Sequence, residues 1–270
     1  MPDIITAARS LLFVPGDRPE RFDKAIASGA DVVILDLEDA VAPPAKRNAR
    51  LAVGDWLDAA RPVVVRINAA DSEWFDADFD MCRHPGVIAI MLPKAHAGRL
   101  LSRVAAERAT IALVESAQGI LGMAAIAATP GVARLAFGAI DLALDIDTSA
   151  PDAAFDPFRL QMAVASRAAG LAGPIDGVTR DFRDPAIVAA EVRHARMLGM
   201  TGKMCIHPAQ VAPTHAALQP TPEELVRAEA IVAADAAAAG AAVQLDGQMI
   251  DRPVVERAIR MLQVNRAGGQ

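Results

Sequence analysis

Short apolar segments alternate with longer mixed segments along most of the chain. Eight apolar runs have the length of buried strands, and they are residues 10–14, 31–35, 63–68, 87–92, 111–114, 135–137, 174–178 and 202–206. Several of the segments between them begin with Asp or Pro, which suit the first turn of a helix. A doubly wound open sheet would show the same alternation, and it is the count of eight strands that favours a closed barrel over an open sheet. The pattern predicts an α/β protein, a (β/α)8 TIM barrel without a break in composition.

Two connecting segments have a less regular pattern. The alanine-rich segment 118–128 predicts one helix, which ends at Thr129-Pro130-Gly131. After Asp141 an irregular acidic segment is expected through Pro157, before the next helix begins at Phe158.

The chain continues beyond the eighth unit. Thr221-Pro222-Glu223-Glu224 predicts the start of a helix, and the alanine-rich run 228–242 favours its continuation. A loop is expected over 243–252, followed by a final helix. We therefore divide the chain into a barrel, 1–219, and a C-terminal helical extension, 220–270, which packs against its own barrel or a neighbouring subunit.

Composition and charge exclude several classes of partner. The 270 residues are 53% hydrophobic and 22% charged, as in a soluble globular protein. A net charge of −6 disfavours nucleic acid or an anionic membrane as the main partner. Cys82 and Cys205 show no metal or disulfide spacing, and MPDIITAARS lacks the apolar core of a signal peptide. We expect a cytoplasmic protein.

Two acids follow neighbouring apolar runs. Glu115 comes directly after the fifth run, and Asp141 follows the sixth. The carboxyl ends of neighbouring parallel strands meet on the face where barrels bind ligands. Two carboxylates there repel each other unless a cation lies between them, and Mg²⁺ suits a site with few oxygen ligands. The alternative, that Glu115 is a helix N-terminal acid and Asp141 a loop cap, stays open on the pattern alone.

Arg66 lies inside the third apolar run, and a buried arginine needs a partner. It forms a structural ion pair with an acid after the second run, or it grips a carboxylate or enolate oxygen. The candidate acids are Asp36, Glu38 and Asp39.

Two further residues at strand ends have alternative interpretations. Lys94 after the fourth run is a candidate Schiff-base lysine, but the acids favour a metal-dependent mechanism. His207 after the eighth run is a candidate metal ligand, yet a His-Pro pair at a strand end equally often fixes a loop by hydrogen bonding.

Eight sequence blocks resemble one known family. They are RSLLFVPGDRPERFDKA, DVVILDLEDAV followed by Lys46, VVVRIN, MLPKA, ALVESAQG, GAIDLA, CIHPAQV and GQMIDRPV. In order and spacing they resemble the citrate lyase beta-subunit-like proteins of the HpcH/HpaI aldolase and malyl-CoA lyase superfamily. The resemblance covers Arg9 to about Leu262.

The resemblance implies roles for residues at the strand ends. Glu115 and Asp141 are implied to bind Mg²⁺. Arg66 is implied to contact the oxygen of a thioester or enolate. Glu38 and Asp39 are implied to line the site and to hold metal-bound waters.

Other implied roles fall outside the strand ends. Asp251 is implied to be the general base, delivered across a subunit interface. Coenzyme A phosphates are implied to be contacted by Arg18, Arg21 and Lys24. The chain departs from many relatives at Ile140, where they have an acid, and this puts substrate choice in doubt.

The residues and the resemblance together predict a Mg²⁺-dependent carbon–carbon lyase. It would cleave a 3-hydroxyacyl-CoA, such as malyl-, citramalyl- or citryl-CoA, into acetyl-CoA and a 2-oxo acid, or form it from them. We expect it to act as a homotrimer or a multiple such as a hexamer. Three alternatives stay open: a class II-type aldolase acting on a free hydroxy acid, a citrate lyase beta subunit acting on an acyl-carrier-protein thioester within a complex, and a non-catalytic binding barrel.

Overall fold

Eight parallel strands form a closed barrel, in a computed structural model that describes residues 4–238 and 241–268, with side chains up to residue 263. Each strand pairs with the next in the chain, and β8 pairs with β1. The strands are β1 Ser10–Pro15, β2 Val32–Asp36, β3 Val63–Arg66, β4 Val87–Leu92, β5 Thr110–Val114, β6 Val132–Phe137, β7 Ile175–Asp176 and β8 Gly202–Cys205. The predicted (β/α)8 barrel is confirmed.

Helices connect the strands and form the C-terminal extension. They are α1 Ile4–Ala7, α2 Phe22–Ile26, α3 Lys46–Trp56, α4 Phe75–Met81, α5 Arg99–Glu107, α6 Ala117–Leu121, α7 Met123–Ala127, α8 Ala139–Asp145, α9 Asp156–Ala168, α10 Pro185–Met197, α11 Val211–Leu218, α12 Pro222–Ala237 and α13 Arg252–Gly268. Single 3-10 turns cover Pro19–Arg21, Pro43–Ala45, Asp152–Phe155 and Pro208–Gln210. No helix in the described part of the chain has the length and apolar character needed to cross a membrane.

The strands are buried on both faces, as their continuous apolar runs predict. Successive residues belong to different apolar clusters: Leu11 packs with Val64 and Ala136, whereas Leu12 packs with helix residues such as Phe22 and Val53. Because successive side chains point to opposite faces of a strand, the first cluster fills the barrel and the second lies between strands and helices.

A buried arginine closes the amino-terminal end of the barrel. Arg134, near the start of β6, is fully buried, and it donates to the carbonyl oxygens of Ile5, Ala8 and Gly173 and to the Thr201 hydroxyl at 2.6–3.1 Å. Burial lowers the pKa of Arg134 to about 10. This end is therefore filled by side chains, and an open site lies at the other end.

Three local predictions are wrong. Residues 118–128 form two short helices, α6 and α7, which meet at Gly122, a residue that disfavours a continuous helix. The chain was expected to be irregular directly after Asp141, but α8 continues to Asp145. Asp141 lies in its first turn, where a helix favours a negative charge. The expected loop 243–252 contains a hairpin, β9 Val243–Leu245 and β10 Gln248–Ile250, joined by an Asp-Gly turn.

Residues 216–270 form a compact unit of their own, distinct from residues 1–215. Its apolar core contains Ala228, Ile231, Ile250, Val255 and Ala258. The predicted helix start is present as a capping box, in which the Thr221 hydroxyl accepts from Glu224 N and the Glu224 carboxylate accepts from Thr221 N. Of the predicted helical run 228–242, α12 covers residues as far as Ala237, and residues 239–240 lie outside the described residues. The role predicted for residues 220–270 in an oligomer stays a prediction.

Candidate active site

A cavity of about 1250 Å³ opens at the carboxyl ends of the barrel strands. Four of the predicted site residues line it, and they are Asp39, Arg66, Glu115 and Asp141. A smaller cavity of about 350 Å³ shares Asp39 with it, and Glu38 and Lys94 lie on its wall. The structure therefore brings together residues that follow β2, β3, β5 and β6.

Glu115 is held in one orientation. It follows β5, is 3% exposed, and its Oε1 accepts a hydrogen bond from the main-chain N–H of Lys94 at 2.8 Å. Its Oε2 passes over Gly138, where an added Cβ would lie only 2.5 Å away. The carboxylate therefore depends on the absence of a side chain at Gly138.

The structure does not show Glu115 capping a helix or Asp141 capping a loop. Helix α6 is capped by Ser116, whose hydroxyl accepts from Gly119 N at 3.1 Å, and by Asp145, which accepts from Ala117 N at 2.7 Å. Neither contact involves Glu115. Asp141 lies in a helical first turn and is not a loop residue.

Burial and mutual repulsion raise the pKa values of the acids. Burial, aided by the charges of Glu38 and Asp141, raises the pKa of Glu115 to about 8. Burial likewise raises the pKa of Glu38 to about 7, against the opposing charge of Arg66. The pKa of Asp141 is also raised, by burial and by the charge of Asp39.

Such a cluster of carboxylates fits a hard divalent cation. Oε2 of Glu38 is buried and accepts no hydrogen bond of good geometry, although Arg66 Nη1 lies 3.1 Å away. Within residues 4–238 and 241–268, no group of three or more His, Cys, Asp or Glu side chains is arranged to hold a metal ion. Mg²⁺ commonly takes only one or two protein carboxylates and completes its shell with water and substrate, and a pair such as Glu115 and Asp141 fits a site of that kind.

Arg66 forms the structural ion pair that its sequence context allows. Its Nε and Nη2 donate to the two carboxylate oxygens of Asp36 at 2.7 and 2.6 Å. Its Nη1 lies 3.1 Å from Glu38 and 3.6 Å from Asp39, and the guanidinium lies over the Phe13 ring. The planar fork is thus engaged by Asp36, and Arg66 presents Nη1 to the acids of the site.

The segment that carries Glu38 is fixed by two residues to which the sequence pattern assigned no such role. Asp36 accepts from the main-chain N–H groups of Glu38 at 2.9 Å and Ala40 at 3.3 Å. Buried Lys46 donates from Nζ to the carbonyl oxygens of Leu37 at 2.8 Å and Glu38 at 2.7 Å. Lys46 follows the DLEDAV block and begins α3, and a lysine in an amphipathic helix gives no sequence signal that it is buried.

The opposite wall of the cavity carries a second charged cluster. Buried Asp176 accepts from Arg159 Nε and Lys203 Nζ, each at 2.8 Å, and Arg159 also pairs with Asp152. Burial alone would raise the pKa of Asp176, but the two cations hold it below its usual value. The sequence signal was a charged residue in each of two short apolar runs, at Asp176 and Lys203.

Comparisons with known proteins identify the family of the chain. The model of the family "HpcH/HpaI aldolase/citrate lyase" matches residues 9–208, and that of a "C-C_Bond_Lyase of the TIM-Barrel fold" matches residues 163–264. The chain belongs to the HpcH/HpaI aldolase/citrate lyase family. The predicted resemblance is confirmed, and so is the prediction of a carbon–carbon lyase.

Members of the HpcH/HpaI family that resemble the chain have several names. A citrate lyase subunit beta-like protein of Deinococcus radiodurans is 35% identical over 94% of this chain and 96% of its own length. A (3S)-malyl-CoA thioesterase of Cereibacter sphaeroides is 36% identical over 84% of this chain and 82% of its own length. The crystal structure of CitE from Mycobacterium tuberculosis, in complex with magnesium, acetoacetate and coenzyme A, superposes with a TM-score of 0.89 at 37% identity. That match covers 97% of this chain and 99% of the CitE chain.

The basic residues expected to contact coenzyme A in this HpcH/HpaI family member lie outside both cavities. Arg18, Arg21 and Lys24 are exposed, on the segment after β1 and on α2. Arg18 and Arg21 each lie 3.8 Å from an adjacent acid, Asp17 and Glu20. The predicted phosphate contacts stay predictions.

Two further candidates have local structural contacts. Asp251 lies in the second unit, where its Oδ1 accepts from Val254 N at 3.4 Å at the start of α13. His207 accepts from Ala209 N at 3.1 Å and caps a short turn, as the loop-fixing interpretation expects. A catalytic role of Asp251 stays a prediction.

Proposed function

We propose that this chain is a Mg²⁺-dependent lyase that cleaves a 3-hydroxyacyl-CoA into acetyl-CoA and a 2-oxo acid, or forms it from these two compounds. Malyl-, citramalyl- and citryl-CoA are the candidate substrates. The observation that carries the proposal is the cavity in which Glu115, Asp141 and Arg66 lie together at the strand ends. The names of the relatives, which include a malyl-CoA thioesterase and a CitE bound to magnesium and coenzyme A, support it.

The site's own residues divide the work of the reaction. Glu115 and Asp141 would hold the cation, which when bound acts as a Lewis acid towards oxygens of the 2-oxo acid. Arg66, kept in place by Asp36, holds Nη1 beside Glu38 and Asp39, and from there it would offset negative charge that develops on the thioester oxygen.

Proton transfer needs a base near the methyl carbon of acetyl-CoA. In the direction of synthesis, Asp251 takes a methyl proton, the enolate attacks the carbonyl carbon of the 2-oxo acid, and the new hydroxyl group receives a proton from solvent. We assign this base to a neighbouring subunit of a homotrimer, or of a hexamer built from trimers, in the cytoplasm. Asp251 belongs to the unit 216–270, and the barrel strands close without this unit.

A product assay tests the proposal. The purified full chain is incubated with malyl-, citramalyl- and citryl-CoA in the presence of Mg²⁺, and acetyl-CoA and the 2-oxo acid are measured together. We expect equal amounts of both products from at least one substrate, and no products after chelation. Glu115→Gln and Asp141→Asn should abolish cleavage, while Asp147→Asn, an exposed aspartate just after α8, should not.

Other products would identify the alternatives. Release of free coenzyme A with an intact hydroxy acid would show a thioesterase, the activity named for the Cereibacter sphaeroides relative. Cleavage of the free hydroxy acid alone would show a class II-type aldolase. Turnover only of an acyl-carrier-protein thioester with partner subunits would show a citrate lyase beta subunit. Cleavage that persists without any divalent cation would contradict the metal-dependent proposal.

A further inference from the structure

Lys94 has an unusual backbone conformation at the edge of the site. It lies two residues after β4 with φ +47°, in the left-handed region. The other described non-glycine residues with positive φ are Asp147 and Asp246, and aspartate tolerates this region better than lysine does. Glycine would adopt this conformation without strain, so the lysine side chain needs a separate reason.

The left-handed turn directs the main chain of Lys94 towards β5. Lys94 N donates to Glu115 Oε1 at 2.8 Å, and the next residue, Ala95, donates from N to Leu113 O at 3.0 Å. The turn is therefore attached to the end of β5 and fixes one oxygen of the Glu115 carboxylate.

The side chain of Lys94 extends to a second acid. Its Nζ lies 4.0 Å from Glu38 Oε1, and the Glu38 side chain is only 6% exposed. Glu38 and Glu115 come from different strands and repel each other, since the Glu38 charge raises the pKa of Glu115. Lys94 thus donates to one of these carboxylates from its main chain and lies within ion-pair distance of the other through its partly exposed ammonium group.

We propose that Lys94 is a positioning residue that fixes Glu115 through its main chain and Glu38 through its ammonium group, and so sets their spacing around the divalent cation. This inference rests on the proposed Mg²⁺ site. It explains why a lysine occupies a position whose backbone favours glycine. Glycine would form the turn but would leave Glu38 with Arg66 on its Oε2 side and, among the described residues, no cation beside Oε1.

Simple electrostatics predicts the opposite effect on metal binding. A positive charge close to a cation site repels the cation, so a lysine that acts only through its charge weakens Mg²⁺ binding, and its removal strengthens it. A lysine that positions the carboxylates strengthens binding, and its removal weakens it. The sign of the change therefore separates the two roles.

Titration calorimetry with Mg²⁺ alone, on the full chain without substrate, measures that sign. Lys94→Gly and Lys94→Asn keep a backbone suited to positive φ and remove the ammonium group. We expect each to weaken Mg²⁺ binding by about tenfold, in the range seen when residues that orient metal ligands are changed. Lys94→Arg, which keeps the charge and the reach, should restore most of the affinity.

Thermal unfolding of the same variants separates positioning from general destabilisation. Without Mg²⁺, Lys94→Gly should melt no lower than the wild type, because glycine removes the strain at positive φ. Asp147→Gly is the matched control, since it changes a similar backbone position at an exposed aspartate, and it should leave Mg²⁺ affinity unchanged.

Two results would overturn the inference in distinguishable ways. Unchanged or tighter Mg²⁺ binding by Lys94→Asn, with wild-type binding that Glu115→Gln abolishes, would refute the role of Lys94 and leave the proposed metal site intact. A wild-type chain that binds no Mg²⁺ would refute both.

Discussion

Arg66 donates two parallel hydrogen bonds to Asp36, at 2.7 and 2.6 Å, and this pairing limits what it offers a substrate. Bidentate pairs of this kind are strong and orient the guanidinium precisely enough to leave Nη1 at one defined place. The pair is therefore compatible with a structural role and with a catalytic one. Only measurements that separate stability from turnover distinguish them.

Replacement of Arg66 by lysine makes that separation. Lysine keeps the charge that balances the buried Asp36 but loses the planar fork, so Nζ cannot hold Asp36 and face the thioester oxygen together. We expect kcat/KM to fall by about a hundredfold, as for loss of one donor to a developing oxyanion. The free energy of unfolding, measured in urea, should fall by less than about 2 kcal/mol, because the charge is retained. Near-normal turnover together with a large loss of stability would assign Arg66 a structural role.

The raised pKa of Glu115 makes the chain's response to Mg²⁺ depend on pH. Between its usual value of 4.5 and about 8, the metal-free folded chain holds a proton at Glu115 that the unfolded chain releases. Folding stability from this group therefore falls as pH rises through that range. Mg²⁺ needs the ionised carboxylate, so its binding becomes stronger over the same range.

The increase in melting temperature that Mg²⁺ causes should therefore grow from about pH 6 to about pH 8. Differential scanning calorimetry at fixed Mg²⁺ concentration measures it, with Glu115→Gln as the variant that has no proton to displace. An increase that is the same at both pH values in the wild type would contradict the assignment of Glu115 as a ligand.

At the scale of the elements, an acid joins the amino-terminal ends of β1 and β2. Asp31 precedes β2 and accepts from the main-chain N–H groups of Arg9 at 2.6 Å and Ser10 at 3.2 Å. His215 Nε2 lies 3.3 Å from Asp31 Oδ2 and 2.7 Å from Ser10 Oγ. Serine and aspartate thus share one ring nitrogen, which is unlike a catalytic triad, where they contact opposite ring nitrogens.

These contacts predict a pH-dependent contribution to stability. Burial alone would raise the pKa of Asp31, but hydrogen bonds from His215, Arg9 and Ser10 hold it well below its usual value of 3.8. The stabilisation is present above that value and is lost as the pH falls below it. We expect Asp31→Asn to cost about 2 kcal/mol of unfolding free energy at neutral pH. Urea unfolding should show the difference from the wild type shrinking below about pH 4, and a constant difference would contradict this account.

Elements with strong local signals were predictable, and those that depend on a partner were not. The run Val87–Leu92 forms β4 with the expected bounds, since a buried parallel strand reads as a continuous apolar segment. The burial of Lys46 and Arg134 depends on carbonyl groups from distant parts of the chain, which periodicity does not reveal. The strand-end acids were identifiable as a group from their places after the apolar runs. That Asp36 takes both bonds of the Arg66 fork, while Glu38 and Asp39 lie near Nη1, depends on side-chain packing that the sequence does not reveal.

At the scale of the whole molecule, the chain consists of a closed barrel and a separate unit from residue 216 onward. The barrel supplies the proposed metal ligands, and the second unit carries Asp251. If the site is shared between subunits, each complete site needs a barrel from one chain and an Asp251 from another. Such sharing is testable without knowledge of the interface.

Mixing two inactive variants tests it. Asp251→Asn should fold and bind Mg²⁺ but lose proton transfer, and Glu115→Ala should lose the metal site. Mixed oligomers should recover part of the activity, because some sites then combine an intact metal site with an intact base. No recovery, in samples whose subunits demonstrably exchange by mass spectrometry, would place Asp251 in its own chain's site or outside the chemistry.

The bare Cα of Gly138 gives a rule for sorting related sequences. Any side chain at this position would overlap the carboxylate of Glu115, since even a Cβ would lie 2.5 Å from Oε2. A relative that keeps both acids but replaces this glycine cannot place its glutamate as this chain does. Its barrel can still fold, because the overlap is at the mouth and not in the core. If Glu115 binds the cation as proposed, the residue at this one position would separate relatives that can form the metal site from relatives that keep both acids but cannot.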